Sequence, residues 1–158
     1  MQPIATDTSD FGKIRQQGCV YVDKTAYFHQ LITKVGNSMF FLARPRRFGK
    51  SLMISTFKAI FEGRRDLFQG LAIEKTDYDW QPRPVLQFNL GFCAHSDYAD
   101  FAKDFPKVVK DALAAVGVAY DAAISEASNF GSAIDELAKR GPTPAILIDE
   151  YDDPVAAA

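Results

Sequence analysis

The chain has 158 residues, of which 47% are hydrophobic and 24% are charged. This balance is ordinary for a globular protein, and it excludes a disordered tail, a collagen-like rod and a coiled coil. The net charge is −2, but residues 1–75 carry 12 Lys/Arg and 6 Asp/Glu, whereas residues 76–158 carry 6 and 14. We therefore expect separate sites for anions and cations and not a uniformly basic, DNA-coating surface.

The length corresponds to one domain of roughly 150 residues, in which residues 1–10 are expected to form a flexible N-terminus. That terminus has no basic and apolar regions of a secretory signal, and no apolar run reaches the roughly 18 residues of a membrane span. The two cysteines, Cys19 and Cys93, suit neither a disulfide framework nor a metal-binding spacing. We expect a cytoplasmic protein that does not contact membranes.

The first half of the chain predicts strands alternating with helices. Residues 19–23 (CVYVD) favour a short strand, and Thr25 is placed to cap a helix over about 26–35. The run at 38–43 is apolar without alternation, which predicts a strand buried on both faces of a parallel sheet. An amphipathic helix follows over 52–61.

The second half begins with an irregular, polar stretch. Residues 64–83 are predicted to be irregular, with a loop at 80–84, and residues 85–90 predict a second strand. A helix is predicted over 97–116, with a kink or two abutting helices at Pro106. A further helix is predicted over about 129–140.

A third buried strand is predicted over 145–148. Strands that alternate with helices indicate an α/β fold with a mostly parallel sheet. Ligands of such sheets bind beyond the carboxyl ends of the strands. Two polar clusters, at 44–51 and 149–154, each follow a predicted strand and are therefore the candidate site.

The segment 44–51 reads R-x-x-x-x-G-K-S, close to the Walker A pattern G-x-x-x-x-G-K-[ST]. Gly49 allows the backbone to approach a phosphate closely. Lys50 supplies a positive charge for the outer phosphates, and the Ser51 hydroxyl is suited to Mg²⁺. A chance tripeptide is the alternative, but the order of buried strand, loop and amphipathic helix favours a phosphate-binding loop.

This loop departs from the general pattern at its start. Arg44 replaces the first glycine, Pro45 stiffens the loop, and Arg46 and Arg47 add positive charge. A second alternative treats the RPRR run as a nucleic-acid patch or a nuclear-localisation signal. The residues that we expect to contact the nucleotide are Arg44, Pro45, Arg46, Arg47, Phe48, Gly49, Lys50, Ser51 and Leu52.

The third predicted strand runs into Asp149 and Glu150. A carboxylate at the end of a buried strand is suited to hold Mg²⁺ directly or through water. The adjacent Glu150 is suited to deprotonate an attacking water. A solvated acidic turn, DEYDDP, is the alternative, and the Walker A-like segment upstream makes that alternative less favoured.

Three motifs occur in order: YVDKT at 21–25, RPRRFGKS at 44–51 and LIDEYDDP at 147–154. Together they resemble the bacterial AAA-ATPase-like family of P-loop NTPases, over the chain from Phe11 to Pro154. Arginine in place of the first glycine is itself typical of that family. The resemblance implies a three-layer α/β/α P-loop fold, with ATP and Mg²⁺ as cofactors.

Residue roles also follow from the resemblance. Lys50 resembles the phosphate-binding residue and Glu150 the catalytic glutamate, while Ser51 and Asp149 resemble the Mg²⁺ residues. The YVDKT signature leaves two roles open, because it either flanks the nucleotide or caps the following helix through Asp23 and Thr25.

Related P-loop domains place a further strand after the Walker B motif. This chain stops eight residues after Glu150, so we expect a domain truncated after the Walker B strand. Its open strand edges would favour self-association or completion by another chain. Longer family members carry a PD-(D/E)XK nuclease-like domain downstream, but nothing in this sequence matches the nuclease core, and we do not expect nuclease activity here.

Three functions stay open at this level. The first is Mg²⁺-dependent ATP hydrolysis coupled to a conformational switch in the full-length protein. The second is a truncated, non-hydrolysing module that binds a nucleotide or a partner. The third is nucleic-acid binding through Arg44, Arg46 and Arg47.

Overall fold

The computed structural model describes residues 2–34, 39–42, 48–93 and 98–151. The chain forms two compact units, Met1–Pro82 and Arg83–Ala158. The first unit is helical, and the second contains a small parallel sheet with two helices. The protein is therefore of the α/β class, as its sequence predicts.

The first unit contains α1 (Phe11–Gln16), α2 (Thr25–Lys34) and α3 (Lys50–Phe61), followed by short 3₁₀ helices at Arg65–Phe68 and Ala72–Lys75. The predicted helices at 26–35 and 52–61 are confirmed within the described residues. The apolar side chains of these elements form one core because they recur at helical spacing. The core residues are Phe11, Phe28, Ala59, Ile60, Leu67, Phe68, Leu71 and Ile73.

Two predicted strands of this half are not strands. Residues 19–23 have no regular secondary structure, and neither does 39–42, the described part of the predicted strand at 38–43. Met39 and Phe41 are 97% and 72% exposed, so the prediction of a buried strand is wrong for these residues. A strand requires a neighbouring backbone that completes its hydrogen bonds, and no such ladder exists among the described residues of the first unit.

The stretch at 64–83, which was predicted to be irregular, is so only in part. Its two 3₁₀ helices bury Leu67, Phe68 and Ile73. The Trp80 ring then covers Phe68, with ring centroids 5.0 Å apart. The description of this stretch as polar therefore missed side chains that belong to the core.

The second unit contains β1 (Val85–Asn89), α4 (Tyr98–Ala115), α5 (Glu126–Arg140) and β2 (Ala145–Asp149). A 3₁₀ helix, Leu90–Cys93, follows β1. The strands predicted at 85–90 and 145–148 are confirmed, as are the two helices. The two strands pair in parallel, as the alternation of strands and helices predicts.

The register of the sheet separates its two faces. Leu86 lies opposite Ile146 and Phe88 opposite Ile148, and Leu86 and Phe88 pack against α4 and α5 in the second core. Since successive strand residues point to opposite faces, Leu147 lies on the other face, where it is 8% exposed. Ile146 and Ile148 are 43% and 47% exposed, so β2 alternates where the sequence predicted continuous burial.

Two helix boundaries differ from the prediction. α4 continues through Pro106 as a single helix, so the prediction of two abutting helices is wrong. Proline removes one backbone donor from a helix, and the apolar face of α4, with Val109 and Leu113 buried, offsets that loss by packing on the core. α5 begins earlier than predicted because the Ser125 hydroxyl caps it, accepting a hydrogen bond from the Ser128 N–H at 3.2 Å.

Candidate functional site

The described part of the Walker A-like segment forms the start of α3. Gly49 precedes the helix with φ 74° and ψ 28°, a left-handed conformation that favours glycine. Its carbonyl accepts the first helical hydrogen bond, from the Met53 N–H at 3.0 Å. Lys50 and Ser51 are therefore the first two residues of α3. The loop residues Arg44, Pro45, Arg46 and Arg47 lie outside the described residues.

The N-terminus of α3 suits an anion on electrostatic grounds. The first amides of a helix have no partner within it, and the helix dipole places partial positive charge there. Gly49 has no side chain to cap these amides, and the first turn of α3 contains no acidic residue. Lys50 adds a full positive charge at the same place. These features are what a phosphate requires at a helix N-terminus.

α3 is held firmly within the first unit. The Ser55 hydroxyl accepts a hydrogen bond from the Phe11 N–H at 2.9 Å, which ties the start of α1 to α3. Further along α3, Thr56 and Ile60 are completely buried. The N-terminal turn with Lys50 and Ser51 is thus carried by a helix whose later turns are anchored in the core by Thr56, Ala59 and Ile60.

The YVDKT segment is fixed by hydrogen bonds that the sequence only partly predicted. Asp23 Oδ1 accepts from the N–H of Thr25 at 2.8 Å and from its hydroxyl at 2.7 Å. Asp23 Oδ2 accepts from the Ala72 N–H at 2.7 Å, and Thr25 Oγ1 accepts from the Ile73 N–H at 3.0 Å. Thr25 is thus the first residue of α2 and not its cap, and the Asp23 carboxylate caps the helix. The pair also clips α2 to the 3₁₀ helix Ala72–Lys75.

A cavity of about 240 Å³ lies in the first unit beside the start of α3. One wall comes from the segment around YVDKT, and another comes from Phe48 and the first two turns of α3. The lining residues are Ala5, Thr8, Ile14, Val20, Tyr21, Val22, Lys24, Phe28, Leu42, Phe48, Gly49, Leu52, Met53 and Thr56. The sequence did not predict this cavity, because its walls come from separate segments that only the tertiary fold brings together.

The Walker B-like residues lie at the end of β2 in the second unit. Asp149 is the last residue of the strand, pairs in register with Asn89, and is 6% exposed. Its Oδ1 accepts a hydrogen bond from the Glu150 N–H at 3.1 Å. The prediction that a strand ends in a carboxylate is confirmed for Asp149, although the strand itself is only partly buried.

Glu150 follows β2 in an uncommon backbone conformation. Its φ is 52°, in the left-handed region that a residue with a Cβ rarely adopts. Strained residues of this kind are concentrated at functional sites, where the surrounding structure holds them in place. The strand ends at Asp149, and the chain bends at Glu150.

The candidate residues therefore form two groups. Gly49, Lys50 and Ser51 share the start of α3 in the first unit. Asp149 and Glu150 share the end of β2 in the second unit. Among the described residues, no helix is both long and apolar enough to span a membrane.

The chain belongs to the family described as "Predicted AAA-ATPase", whose model matches residues 3–158. It is also similar to a curated protein from Azotobacter chroococcum mcd 1, named "Uncharacterized protein in vnfD 5'region", with 36% identity over 156 residues. Those residues are 97% of this chain but 29% of the relative, so the chain spans less than a third of that protein's length. No solved structure matches the chain.

The family predicted from the three motifs is thus confirmed, and it suggests a nucleotide-binding, ATPase-like function. The downstream nuclease-like domain of longer relatives stays a prediction.

Proposed function

We propose that this chain binds ATP with Mg²⁺ and is part of a protein that hydrolyses ATP to drive a conformational switch. The observation that carries the proposal is the start of α3, where left-handed Gly49 is followed directly by Lys50 and Ser51. Membership of a family described as "Predicted AAA-ATPase" supports the same function.

In this proposal, the first turn of α3 holds the phosphates. Its first amides, which have no partner within the helix, donate hydrogen bonds to phosphate oxygens, and the helix dipole favours the negative charge of those oxygens. The Lys50 ammonium neutralises the outer phosphates, as the lysine of a phosphate-binding loop does. Catalysis of phosphoryl transfer depends chiefly on such positioning and charge stabilisation.

The side chains of Ser51 and Asp149 are of the kind that binds Mg²⁺. This ion prefers oxygen ligands and is usually bound through one or two carboxylates, with water and substrate phosphates completing its shell. The Ser51 hydroxyl and the Asp149 carboxylate are such ligands, and the hydrogen bond from the Glu150 N–H orients that carboxylate. When bound, Mg²⁺ would neutralise the charge that develops on the phosphates during transfer.

Glu150 is the proposed base. Its carboxylate would take a proton from the water that attacks the γ-phosphorus. The new P–O bond forms while the bond between the γ-phosphorus and the β–γ bridging oxygen breaks, which leaves ADP and inorganic phosphate. The left-handed backbone of Glu150 supports this role, because backbone strain is concentrated at functional sites.

Steady-state release of phosphate from ATP in the presence of Mg²⁺ tests the hydrolytic step. Glu150→Gln removes the base, and Lys58→Ala is a matched control, because Lys58 lies on α3 and pairs with Glu62 at 3.9 Å. We expect turnover in the wild type and in Lys58→Ala, and a loss of about 100-fold or more in Glu150→Gln. Turnover that persists in Glu150→Gln contradicts the role of Glu150.

Two other functions give different results in the same preparations. A non-hydrolysing module binds ATP but releases no phosphate in any variant. A nucleic-acid-binding module that uses Arg44, Arg46 and Arg47 binds duplex DNA with an affinity that falls steeply as salt rises. Absence of DNA binding at low salt eliminates that alternative.

We also infer that the sheet of the complete domain has helices on both faces, as in a three-layer P-loop fold. Support comes from burial on each face: Leu86 packs against the α4–α5 core, and Leu147 is buried on the opposite face. Parallel sheets covered on both sides show this pattern.

We therefore expect Leu147→Ser to lower the free energy of unfolding by about 2 kcal/mol. The matched variant Ile148→Ser, at a half-exposed position of the same strand, should lower it by clearly less. Equal losses in urea unfolding would contradict a covered second face.

A further inference from the structure

We propose that the cavity in the first unit binds the base of the nucleotide, and that residues 20–24 form the wall against which the base lies. The proposal rests on the proposed binding of phosphates at the start of α3. It also assigns a role to the YVDKT segment, whose sequence left that role open.

The cavity adjoins the element that would hold the phosphates. Gly49 lines the cavity and is also the N-cap residue of α3. Phe48 lines it immediately before Gly49, and Leu52 and Met53 line it from the first two turns of the same helix. A ligand whose phosphates bind at the N-terminus of α3 therefore has this cavity as its immediate neighbour.

The size and chemistry of the cavity suit a flat ring. Its volume of about 240 Å³ is below the roughly 300–1,000 Å³ of pockets that hold a whole small ligand. Its inner lining includes the buried side chains of Ile14 and Phe28. The buried Thr56 hydroxyl is already bonded, because it donates to the Leu52 carbonyl at 2.8 Å. Most of the other lining side chains are apolar, although Thr8 and Lys24 are not, and such a lining accepts an aromatic ring.

Three apolar side chains of the lining are also exposed to solvent. Val20, Val22 and Phe48 are 44%, 72% and 62% exposed. Single exposed apolar residues are normal, but three around one cavity form a continuous apolar rim, which is typical of a ligand-binding surface. A base that enters would remove this surface from water, and it could stack on the Phe48 ring.

The wall opposite α3 is held in place by the Asp23–Thr25 clip. Both oxygens of Asp23 are engaged, Oδ1 by Thr25 and Oδ2 by the Ala72 N–H at 2.7 Å. Tyr21 is anchored separately, because its ring meets Phe11 edge-to-face with centroids 5.0 Å apart. Val22 lies between these two anchors. The segment is therefore fixed on both sides of Val22, and Asp23 is a positioning residue for the cavity wall.

Binding of ATP and of inorganic tripolyphosphate, measured by calorimetry with Mg²⁺, separates the base from the phosphates. The cavity variants are Val22→Ser and Phe48→Ala. The matched control is Tyr27→Ala, because Tyr27 is 69% exposed in the same unit but does not line the cavity. We expect each cavity variant to weaken ATP binding about tenfold. Tripolyphosphate binding should stay within about twofold of the wild type, and Tyr27→Ala should change neither affinity.

The outcomes distinguish this inference from the proposed function. If the wild type binds neither ATP nor tripolyphosphate, both the proposed function and the proposed base site are wrong. If Lys50→Ala abolishes binding of both ligands while the cavity variants bind ATP normally, the phosphate site stands and the base site is wrong. Equal loss of ATP and tripolyphosphate affinity in the cavity variants would also overturn the inference, because those side chains would then act on the phosphates.

The positioning role of Asp23 has its own readout. Asp23→Ala removes both acceptors, whereas Asp23→Asn keeps an oxygen that can accept from Thr25. We expect Asp23→Ala to weaken ATP binding but not tripolyphosphate binding, and Asp23→Asn to restore part of the ATP affinity. A loss of affinity for both ligands that Asp23→Asn does not rescue would contradict positioning of the base wall.

Discussion

At the scale of single residues, the backbone of Glu150 is a candidate for stored strain. Its φ of 52° places the Cβ too close to the neighbouring carbonyl oxygen, which costs about 1–2 kcal/mol for a residue other than glycine. Selection for stability alone would favour glycine at this position. The catalytic role proposed for Glu150 would give a reason for a residue other than glycine at this position.

This argument predicts an order of stability among Glu150 variants. Glu150→Gly relieves the clash but increases the conformational freedom of the unfolded chain. We expect the first effect to dominate, so the free energy of unfolding of Glu150→Gly should be about 0.5 kcal/mol higher than that of Glu150→Ala. Both variants should lose ATP turnover alike, since neither has a carboxylate. Urea denaturation measures the difference, and a glycine variant less stable than the alanine variant would contradict the strain.

Asp23 shows how a carboxylate at the same scale links the fold to pH. Burial would raise the pKa of the Asp23 carboxyl, but hydrogen bonds from the Thr25 hydroxyl and from the Thr25 and Ala72 amides outweigh it. The pKa therefore lies below the usual 3.8. A group with a lowered folded pKa stabilises the protein above its unfolded pKa, and this contribution is lost as pH falls through the folded pKa.

We accordingly expect the stability difference between the wild type and Asp23→Asn to depend on pH. At pH 7 the variant should be less stable by about 1 kcal/mol, because hydrogen bonds to a charged acceptor are lost. The difference should shrink once the pH falls below 3.8, the usual pKa of this carboxyl. Thermal unfolding at pH 7, 5 and 3 provides the test, and a constant difference would argue against an ionised Asp23 in the clip.

At the scale of elements, the sequence predicted the long helices and both paired strands. α2, α3, α4 and α5 carry apolar side chains at helical spacing, which is a local signal. The missed start of α5 was a local failure, but the wrong strand at 38–43 was not. The apolar run at 38–43 suggested a strand, but strand formation depends on a partner that the run itself does not specify.

The candidate site shows the same division. The sequence predicted the 49–51 and 149–150 segments by motif, because a phosphate-binding loop and a metal-binding carboxylate use neighbouring residues in a fixed order. The cavity was missed because Ala5, Val20 and Phe48, which line it, are far apart in sequence. Asp23 was correctly considered as a helix cap, but its bond to the Ala72 amide spans 49 positions and follows no sequence pattern.

The start of α5 offers a test of the second unit. Asn129 is 3% exposed, its Oδ1 accepts from the Asp121 N–H at 2.8 Å, and its Nδ2 donates to the Asp121 carbonyl at 2.8 Å. Asn129→Ala leaves both backbone groups without this partner, so we expect a loss of about 1–3 kcal/mol. Exposed Ser128→Ala on the same turn should cost about 1 kcal/mol or less. Equal losses in chemical denaturation would show that the buried amide does not organise this loop.

At the scale of the whole molecule, the charge asymmetry acquires a functional meaning. The first 75 residues, with their excess of Lys and Arg, contain the segment proposed to bind the phosphates. The remainder, with its excess of Asp and Glu, contains the carboxylates proposed for the metal and the attacking water. A tetravalent nucleotide and a divalent cation require opposite local charges of this kind. The central claim is therefore that the chain binds Mg²⁺–ATP, with Lys50 and Asp149 among the residues proposed for it.

The most direct test of that claim is equilibrium binding of ATP, with and without Mg²⁺, to the wild type, Lys50→Ala, Asp149→Asn and the control Lys58→Ala. Loss of a hydrogen-bonded charge partner weakens binding about tenfold or more. We predict such a loss in Lys50→Ala under both conditions, a loss in Asp149→Asn only when Mg²⁺ is present, and no change in Lys58→Ala. Unchanged ATP affinity in Lys50→Ala, or an effect of Asp149→Asn that does not depend on Mg²⁺, would contradict the account.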